Sequence, residues 1–118
     1  GAPHLNHGRV TPREAARTFM AALEASDAEK AAAVCAEDVT IVLPGSDNEL
    51  EGRDGVRRLI RMAPAFRRLI REEIVDGNTV ILKGLTRAPG VFTNFTTWTF
   101  QTDGERITHL SFLWKPAN

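Results

Sequence analysis

The sequence predicts an α+β domain, in which three helices pack in the concave face of a curved, mostly antiparallel sheet that forms a cone-shaped α+β barrel. Two observations predict this class. Helical patterns fill most of the first half of the 118-residue chain, and the second half carries four strand patterns divided by short turns. Helices that precede a run of antiparallel strands are typical of α+β folds. We expect a flexible leader at residues 1–10 and a single domain at residues 11–118.

The first helix begins with a clear capping signal. Thr11 can cap the helix, Pro12 suits its first position, and Glu14 completes a capping box. Apolar residues then recur at helical spacing as far as Leu23, which gives this helix one apolar face.

Two further helices flank the first strand. Ser26 opens a second capping-box pattern, and we expect this short helix to continue through Cys35. The β-branched segment Val39–Leu43 is expected to form a strand that the following Pro-Gly pair stops. Farther along, Asp54 is expected to cap a third helix, which Pro64 ends.

The rest of the chain predicts four strands in a meander. Turn signals such as Asp76-Gly77-Asn78 and Asp103-Gly104 separate them. The third of these strands is rich in threonine and aromatic residues, which favour sheet structure. The expected strands are Leu69–Val75, Thr79–Thr86, Val91–Gln101 and Ile107–Trp114.

Composition argues against several kinds of partner and site. Fifteen basic and fifteen acidic side chains cancel, which argues against nucleic acid or an anionic membrane as the main partner. No apolar run approaches the roughly 18 residues of a membrane span, and no signal-peptide pattern is present, so we expect a cytoplasmic protein. Cys35 is the only cysteine, which excludes an intrachain disulfide and a cysteine-rich metal site. We expect neither a metal site nor a cofactor.

Four segments carry a family resemblance. In order along the chain, FMAALEASD, CAEDVTIVLPG, EGRDGVRRLI and DGERITHLSFLW resemble the NTF2-like superfamily, and most of all its SnoaL-like and ketosteroid-isomerase-like branches. The resemblance covers residues 11–115. It is specific for the fold, whereas the superfamily hosts isomerases, epoxide hydrolases, polyketide cyclases, dehydratases and non-catalytic binding proteins.

The resemblance implies that the catalytic residues of ketosteroid isomerases are replaced here. The oxyanion-donating tyrosine of their first helix corresponds to Phe19, and the aspartate base before the proline corresponds to Leu43. The protonated aspartic acid of their long strand corresponds to Thr96. Because leucine cannot accept a proton, we reject steroid-type isomerisation by that mechanism.

The catalytic sets of two other branches are missing as well. Limonene-epoxide-hydrolase-like members use an Asp-Arg-Asp set with tyrosine and asparagine, but this chain has no tyrosine. The Arg-x-Asp expected by resemblance falls near Gly84 and Thr86. The last-strand aspartate of that branch, and of the SnoaL-type cyclases, falls near Phe112.

Alternation along the last two strands, together with the resemblance, predicts an apolar pocket. Inward-facing residues of these strands are expected to join side chains of the helices and the first strand. Such a pocket would bind something flat and hydrophobic, oriented by Asn94 and Thr96; the alternative is a filled core. The predicted ligand-binding residues are Phe19, Leu43, Met62, Phe66, Asn94, Thr96, Trp98, Leu110, Phe112 and Trp114.

Several titratable groups remain open as catalytic candidates. Lys83 lies in a strand, and burial on the inward face would lower its pKa. Glu72 and Glu73 are adjacent on a strand and so point to opposite faces. His109 alternates with inward residues, so we expect it at the surface or at a dimer interface. Three more acids are expected in a solvated loop near the pocket mouth: Asp47, Glu49 and Glu51.

Seven arginines cluster between residues 53 and 71. Such a patch can hold a phosphate, a CoA tail or nucleic acid. We favour the solvated face of the third helix, paired with nearby acids. The arginines are Arg53, Arg57, Arg58, Arg61, Arg67, Arg68 and Arg71.

The outward face of the sheet carries apolar residues too. Phe95 and Leu113 alternate with the inward residues of their strands, which predicts a homodimer through this face. The leading functional hypothesis is a binding protein for a small hydrophobic molecule. The alternative is an enzyme of isomerase, epoxide-hydrolase or polyketide-cyclase type with a relocated acid–base group. A third hypothesis, a partner-binding domain, predicts a closed core.

Overall fold

The computed structural model describes residues 10–45, 49–63, 67–88, 90 and 92–116. The predicted leader at residues 1–10 therefore lies outside the described residues, except for Val10, which packs against the core. Pro64, the predicted stop of the third helix, also lies outside them.

The described residues form three helices and one six-stranded sheet. The helices are α1 (Pro12–Ala25), α2 (Ala28–Ala33) and α3 (Gly52–Met62), and the strands are β1 (Cys35–Val42), β2 (Glu49–Glu51), β3 (Arg67–Asp76), β4 (Thr79–Ala88), β5 (Phe92–Thr102) and β6 (Ile107–Pro116). The sheet is curved and open, in the order β2-β1-β6-β5-β4-β3. Only the β1–β6 pair is parallel among these neighbours. The predicted α+β class and the four-strand meander are confirmed.

The capping box of α1 forms as predicted. Thr11 Oγ1 accepts a hydrogen bond from the Glu14 amide at 3.2 Å, and the Glu14 carboxylate accepts one from the Thr11 amide at 3.4 Å. Farther along the helix, Phe19 packs edge-on against Phe100 of β5, with ring centroids 5.6 Å apart. Both rings are fully buried, so α1 is fixed to the inner face of the sheet by core packing.

The second helix is shorter than predicted. α2 ends at Ala33, and Cys35 begins β1 instead of continuing the helix. The cause is pairing with β6, because the Ile107 amide donates to the Val34 carbonyl at 2.9 Å. Cys35 then lies opposite Ile107 in the parallel ladder, which requires extended backbone.

Both later helices are capped differently from the prediction. Asp27, rather than Ser26, caps α2 by accepting a hydrogen bond from the Lys30 amide at 3.1 Å. Ser26 instead takes the left-handed conformation, with φ of 55°, that ends α1. α3 begins at Gly52, so Asp54 lies in its first turn rather than at its cap.

Two features at the sheet edges differ from a plain meander. Glu49–Glu51, predicted as loop, pairs antiparallel with the end of β1 and extends the sheet. At the opposite edge, the register of β3 against β4 shifts between Ile70 and Glu72. Gly84 permits this bulge, since a Cβ there would lie 1.9 Å from the Leu69 carbonyl oxygen. Bulges of this kind bend a strand and add to the curvature of a sheet.

The core lies between the helices and the inner face of the sheet. Ile41 of β1 and Leu110 of β6 are fully buried there beside the aromatic pair of α1 and β5. No helix within the described ranges is both long and apolar enough to cross a membrane.

Candidate functional site

A cavity of about 290 Å³ lies between the ends of α1 and α3 and the inner face of the sheet. We call it the apolar cavity. Its described wall consists of Leu23, Leu43, Pro44, Leu59, Met62, Ala63, Arg68, Thr86, Trp98, Phe112 and Trp114.

The sheet supplies the aromatic part of this wall. Trp98 of β5 lies opposite Phe112 of β6 in the ladder, and their rings stack with centroids 4.4 Å apart and planes at 19°. Trp114, two residues farther along β6, shares the same face, and its ring centroid is 5.7 Å from that of Phe112. Trp114 is 51% exposed, so it lies at the opening of the cavity.

The helices and the end of β1 supply the aliphatic part. α3 ends at Met62, Ala63 has extended backbone, and both residues line the cavity. Met62 is 55% exposed at this edge. Leu43 directly follows β1 and faces the same space, while Leu23 reaches it from α1. The ends of α1 and α3 and the residues after β1 therefore build the aliphatic part of the wall.

Three polar side chains, Arg68, Thr86 and Thr96, form what we call the polar corner. Arg68 and Thr86 lie opposite each other in the β3–β4 ladder, and both line the cavity. The hydroxyl oxygens of Thr86 and Thr96 are 2.8 Å apart and buried. The Arg68 side chain is 5% exposed, and its Nη1 lies 3.4 Å from Oε1 of Glu24 on α1.

The polar corner contains one ion pair, between Arg68 and Glu24. Burial lowers the pKa of Arg68, and the nearby Glu24 carboxylate opposes this effect. An arginine stays protonated at neutral pH even so, because its ordinary pKa lies above about 12.

The predicted ligand-binding residues separate into wall and core. Phe19 and Leu110 are fully buried in the core. Thr96 belongs to the polar corner, and Asn94 is half-buried but lies outside the wall that the described residues form. Phe66 lies outside the described residues. The structure places five predicted residues on the wall: Leu43, Met62, Trp98, Phe112 and Trp114.

Two strand carboxylates and one lysine lie away from the wall. Glu73 points toward α1, where it accepts hydrogen bonds from Arg17 at 3.0 Å. Glu72 and Lys83 lie opposite each other in the β3–β4 ladder, and both are exposed. The Glu73 carboxylate is therefore held in an ion pair with Arg17 on the α1 side of the sheet.

The remaining acid–base candidates among the described residues also lie away from the wall of the apolar cavity. His109 Nδ1 lies 2.6 Å from Thr40 Oγ1 on the neighbouring strand β1. Glu49 and Glu51 are exposed on β2. Asp47 lies outside the described residues.

Cys35 packs in the core, as its apolar surroundings predict. Its thiol lies 3.4 Å from the Ala31 carbonyl oxygen, to which it donates. Burial raises the pKa of the thiol to about 12, against the opposing charge of Arg53. Among the described residues, no group of three or more His, Cys, Asp or Glu is placed to hold a metal ion. The lack of a metal site stays a prediction.

Sequence reasoning missed Arg68 as a cavity residue. It assigns all seven arginines to one patch, but the structure divides them. Arg57 donates to Glu29 at 2.9 Å and to Asp54 at 2.6 Å on the exposed side of α3. Arg68 instead points inward from β3. Its inward direction follows from the register, because Arg68 pairs with the buried Thr86 of β4 and paired residues share a face.

The family of the chain follows from its sequence and agrees with this architecture. A profile of the SnoaL-like domain matches residues 16–110. This protein belongs to the SnoaL-like domain family. The resemblance to the NTF2-like superfamily is thereby confirmed. No curated protein matches this SnoaL-like chain significantly.

Several solved structures resemble this SnoaL-like protein. A protein from Sphaerobacter thermophilus has a TM-score of 0.83 and 26% identity, over 90% of this chain and 97% of the other. A putative ketosteroid isomerase from Kribbella flavida DSM 17836 has a TM-score of 0.79 and 22% identity, over 91% and 79%. A computationally designed 17-OHP binder has a TM-score of 0.75 and 17% identity, over 89% and 94%. The last two likenesses concern the fold alone.

Proposed function

We propose that this protein binds a small hydrophobic molecule in the apolar cavity. The observation that carries the proposal is the composition of the wall. Nine of its eleven described residues are apolar, and the other two are Arg68 and Thr86. Concave sites with an apolar lining and a few polar groups are typical of small-molecule binding. The volume of about 290 Å³ suits a small ligand.

The aromatic part of the wall favours a flat ligand. The stacked rings of Trp98 and Phe112 present broad apolar faces beside Trp114. A flat ring of the ligand that packs against one of these aromatic side chains would gain roughly 0.5–1.5 kcal/mol of binding free energy beyond the burial of its area. A ligand that buries about 200 Å² of apolar surface would gain about 5 kcal/mol from burial, before the entropy lost on association is subtracted.

Leu43 favours binding over the chemistry of the ketosteroid isomerases. The resemblance equates this position with their proton-moving base, and the Leu43 side chain, which lines the apolar cavity, cannot move a proton. An enzyme of isomerase, epoxide-hydrolase or polyketide-cyclase type therefore needs a relocated acid–base group. Glu73, one candidate for that role, forms ion pairs with Arg13 and Arg17 outside the cavity. The similar structures include a putative ketosteroid isomerase and a designed 17-OHP binder, so ligand binding suits this fold.

Thermal shifts with a panel of compounds test the proposal. The panel contains steroids, terpenoid epoxides, aromatic polyketides, naphthalene derivatives and fatty acids. A ligand present at about 100 times its dissociation constant should raise the free energy of unfolding by about 2.7 kcal/mol, which is several degrees in Tm.

A matched pair of variants assigns any shift to the cavity. Ala63→Phe puts a ring into the space beside α3, whereas Ala33→Phe adds the same ring on the exposed end of α2. We expect Ala63→Phe to remove the ligand-induced shift and Ala33→Phe to preserve it. Equal shifts in both variants would contradict binding in the cavity, and no shift in the wild-type protein would favour a partner-binding domain.

A second copy of the chain is the proposed partner for the outer sheet face. Phe95 of β5 is 48% exposed and Leu113 of β6 is 68% exposed on this face, and Leu69 of β3 is 53% exposed. Leu69, Leu85 and Phe95 are successive partners across three strands, which makes an apolar stripe. Burial of the same stripe on two copies would remove these side chains from water.

A further inference from the structure

We infer that the open end of the apolar cavity docks on an anionic lipid bilayer. The inference goes beyond the proposed function, because it concerns an outer surface and its partner rather than a ligand inside the cavity. This surface, which we call the basic mouth, combines exposed apolar side chains with exposed basic ones. It consists of Met62, Trp114, Arg61, Arg67, Arg87 and Lys115.

The apolar residues of the basic mouth lie on two sides of the opening. Met62 ends α3, Trp114 belongs to β6, and both line the cavity while remaining half-exposed. Arg61 directly precedes Met62, and Lys115 directly follows Trp114. Each apolar side chain at the opening therefore has a basic neighbour in sequence.

The sheet places two more bases at the same end. Arg67 and Arg87 are direct partners across β3 and β4. Lys115 lies opposite Phe95 of β5, and Phe95 lies opposite Leu85, which is two residues before Arg87. Three strands therefore carry a basic residue at one end of the sheet, and all three side chains are exposed.

The charge of the basic mouth is not compensated locally. Within the described ranges, none of its four bases forms an ion pair with a carboxylate. Two acids of the same half of the molecule already have basic neighbours. Glu24 pairs with Arg68, and Glu72 lies opposite Lys83 in the β3–β4 ladder.

Other acids lie toward the far end of the sheet. Asp76 ends β3, and Asp103 and Glu105 lie between β5 and β6. Glu49 of β2 lies level with the middle of β6. A strand of ten residues is about 33 Å long, which exceeds the screening length of about 8 Å at physiological salt. The charges that cancel over the whole chain, and so argue against a membrane partner, therefore do not cancel at the basic mouth.

The combination of residues favours a bilayer over other anionic partners. Tryptophan is typical of the membrane–water interface, and lysine and arginine are attracted by anionic lipid headgroups. Hydrocarbon would cover the exposed Met62 and Trp114 side chains and the apolar opening between them, whereas the backbone of a nucleic acid offers only charge. A second copy of the same surface would bring like charges together.

The experiment is sedimentation of the protein with two kinds of vesicle. One contains phosphatidylcholine with about 30% phosphatidylserine, and the other contains phosphatidylcholine alone. We expect binding to the anionic vesicles, at least about tenfold weaker binding to the neutral ones, and loss of binding at about 1 M salt, where the screening length is about 3 Å. The fluorescence of the bound protein should shift to shorter wavelength, and Trp114→Phe should remove this shift.

Two double variants assign the binding to the basic mouth. Arg67→Gln with Arg87→Gln should weaken binding to anionic vesicles about thirtyfold, because each base near such a surface contributes about a factor of five. Lys30→Gln with Arg106→Gln is the matched control. It removes the same net charge from exposed positions just before β1 and β6, at the other end of the sheet, and should retain binding.

Four results would overturn the inference. They are no binding to anionic vesicles, equal losses in the two double variants, an unshifted fluorescence spectrum of the bound protein, and binding to a DNA duplex without binding to vesicles. The salt dependence and the fluorescence shift need no arginine variant, so they remain available if a double variant does not fold. Each measurement is made without a cavity ligand, so these results leave the proposed function intact.

Discussion

Replacement of Phe19 by alanine should destabilise the protein far more than the same change at Leu43. The sequence predicts that both residues line a ligand pocket, whereas the structure puts Phe19 in the core and Leu43 on the cavity wall. Phe19 is 0% exposed and packs against Phe100. The stabilities of the two variants therefore distinguish a residue of the core from a residue of the cavity wall.

The magnitudes follow from burial. Loss of a fully buried phenylalanine ring and the void it leaves typically costs about 3–5 kcal/mol, so we expect about 4 kcal/mol for Phe19→Ala. Leu43 is half-buried and already borders open space, so Leu43→Ala should cost about 1 kcal/mol. With a urea m-value of about 1.5 kcal/mol/M, the unfolding midpoints should fall by about 2.7 M and 0.7 M.

Equilibrium unfolding in urea, followed by far-ultraviolet circular dichroism, measures both values. Phe19→Leu is the milder companion variant and should cost about 2 kcal/mol, which keeps the test available if Phe19→Ala does not fold. Equal losses for Phe19→Ala and Leu43→Ala would refute the assignment of Phe19 to the core.

Three further predictions concern the sheet, the thiol and the outer face. Gly84→Ala should cost at least about 3 kcal/mol in urea unfolding, because the added Cβ would lie 1.9 Å from the Leu69 carbonyl oxygen; an unchanged midpoint would contradict the close approach of β3 and β4. Cys35 should react with Ellman's reagent at pH 8 only in denaturant, since a pKa of about 12 leaves about one thiolate in ten thousand molecules; fast reaction of the native protein would contradict its burial. Sedimentation equilibrium should give about twice the chain mass of 13.0 kDa at micromolar concentration, and Leu113→Lys should give the monomer; a wild-type monomer would exclude the proposed dimer.

The sequence predicts the elements of the fold correctly wherever local signals and tertiary packing favour the same structure. The capping box at Thr11 and the turn signals between the last strands each act over a few residues, and the structure contains both. The end of α2 was mispredicted because Cys35 pairs with Ile107 of β6, which lies far away in sequence. β2 was missed for another reason: its partner β1 is near in sequence, but β2 has only three residues and two of them are charged.

The candidate site was predictable in its aromatic part and not in its polar part. Alternation along β5 and β6 suffices to put Trp98 and Phe112 on one inner face. The inward direction of Arg68 depends on the register of β3 with β4, which the sequence does not show. Phe19 was placed on the pocket wall because sequence alone does not show how closely α1 packs against Phe100.

The tryptophan indoles test the central claim most directly. The chain has two tryptophans, Trp98 and Trp114, and both lie on the wall of the apolar cavity. A ¹H–¹⁵N correlation spectrum therefore contains two indole signals, which a Trp114→Phe variant assigns. The protein is titrated with the panel compound that gives the largest thermal shift. The account predicts that both indole signals move together and saturate with the ligand. Indole signals that stay fixed while the compound stabilises the protein would place binding elsewhere and contradict the account.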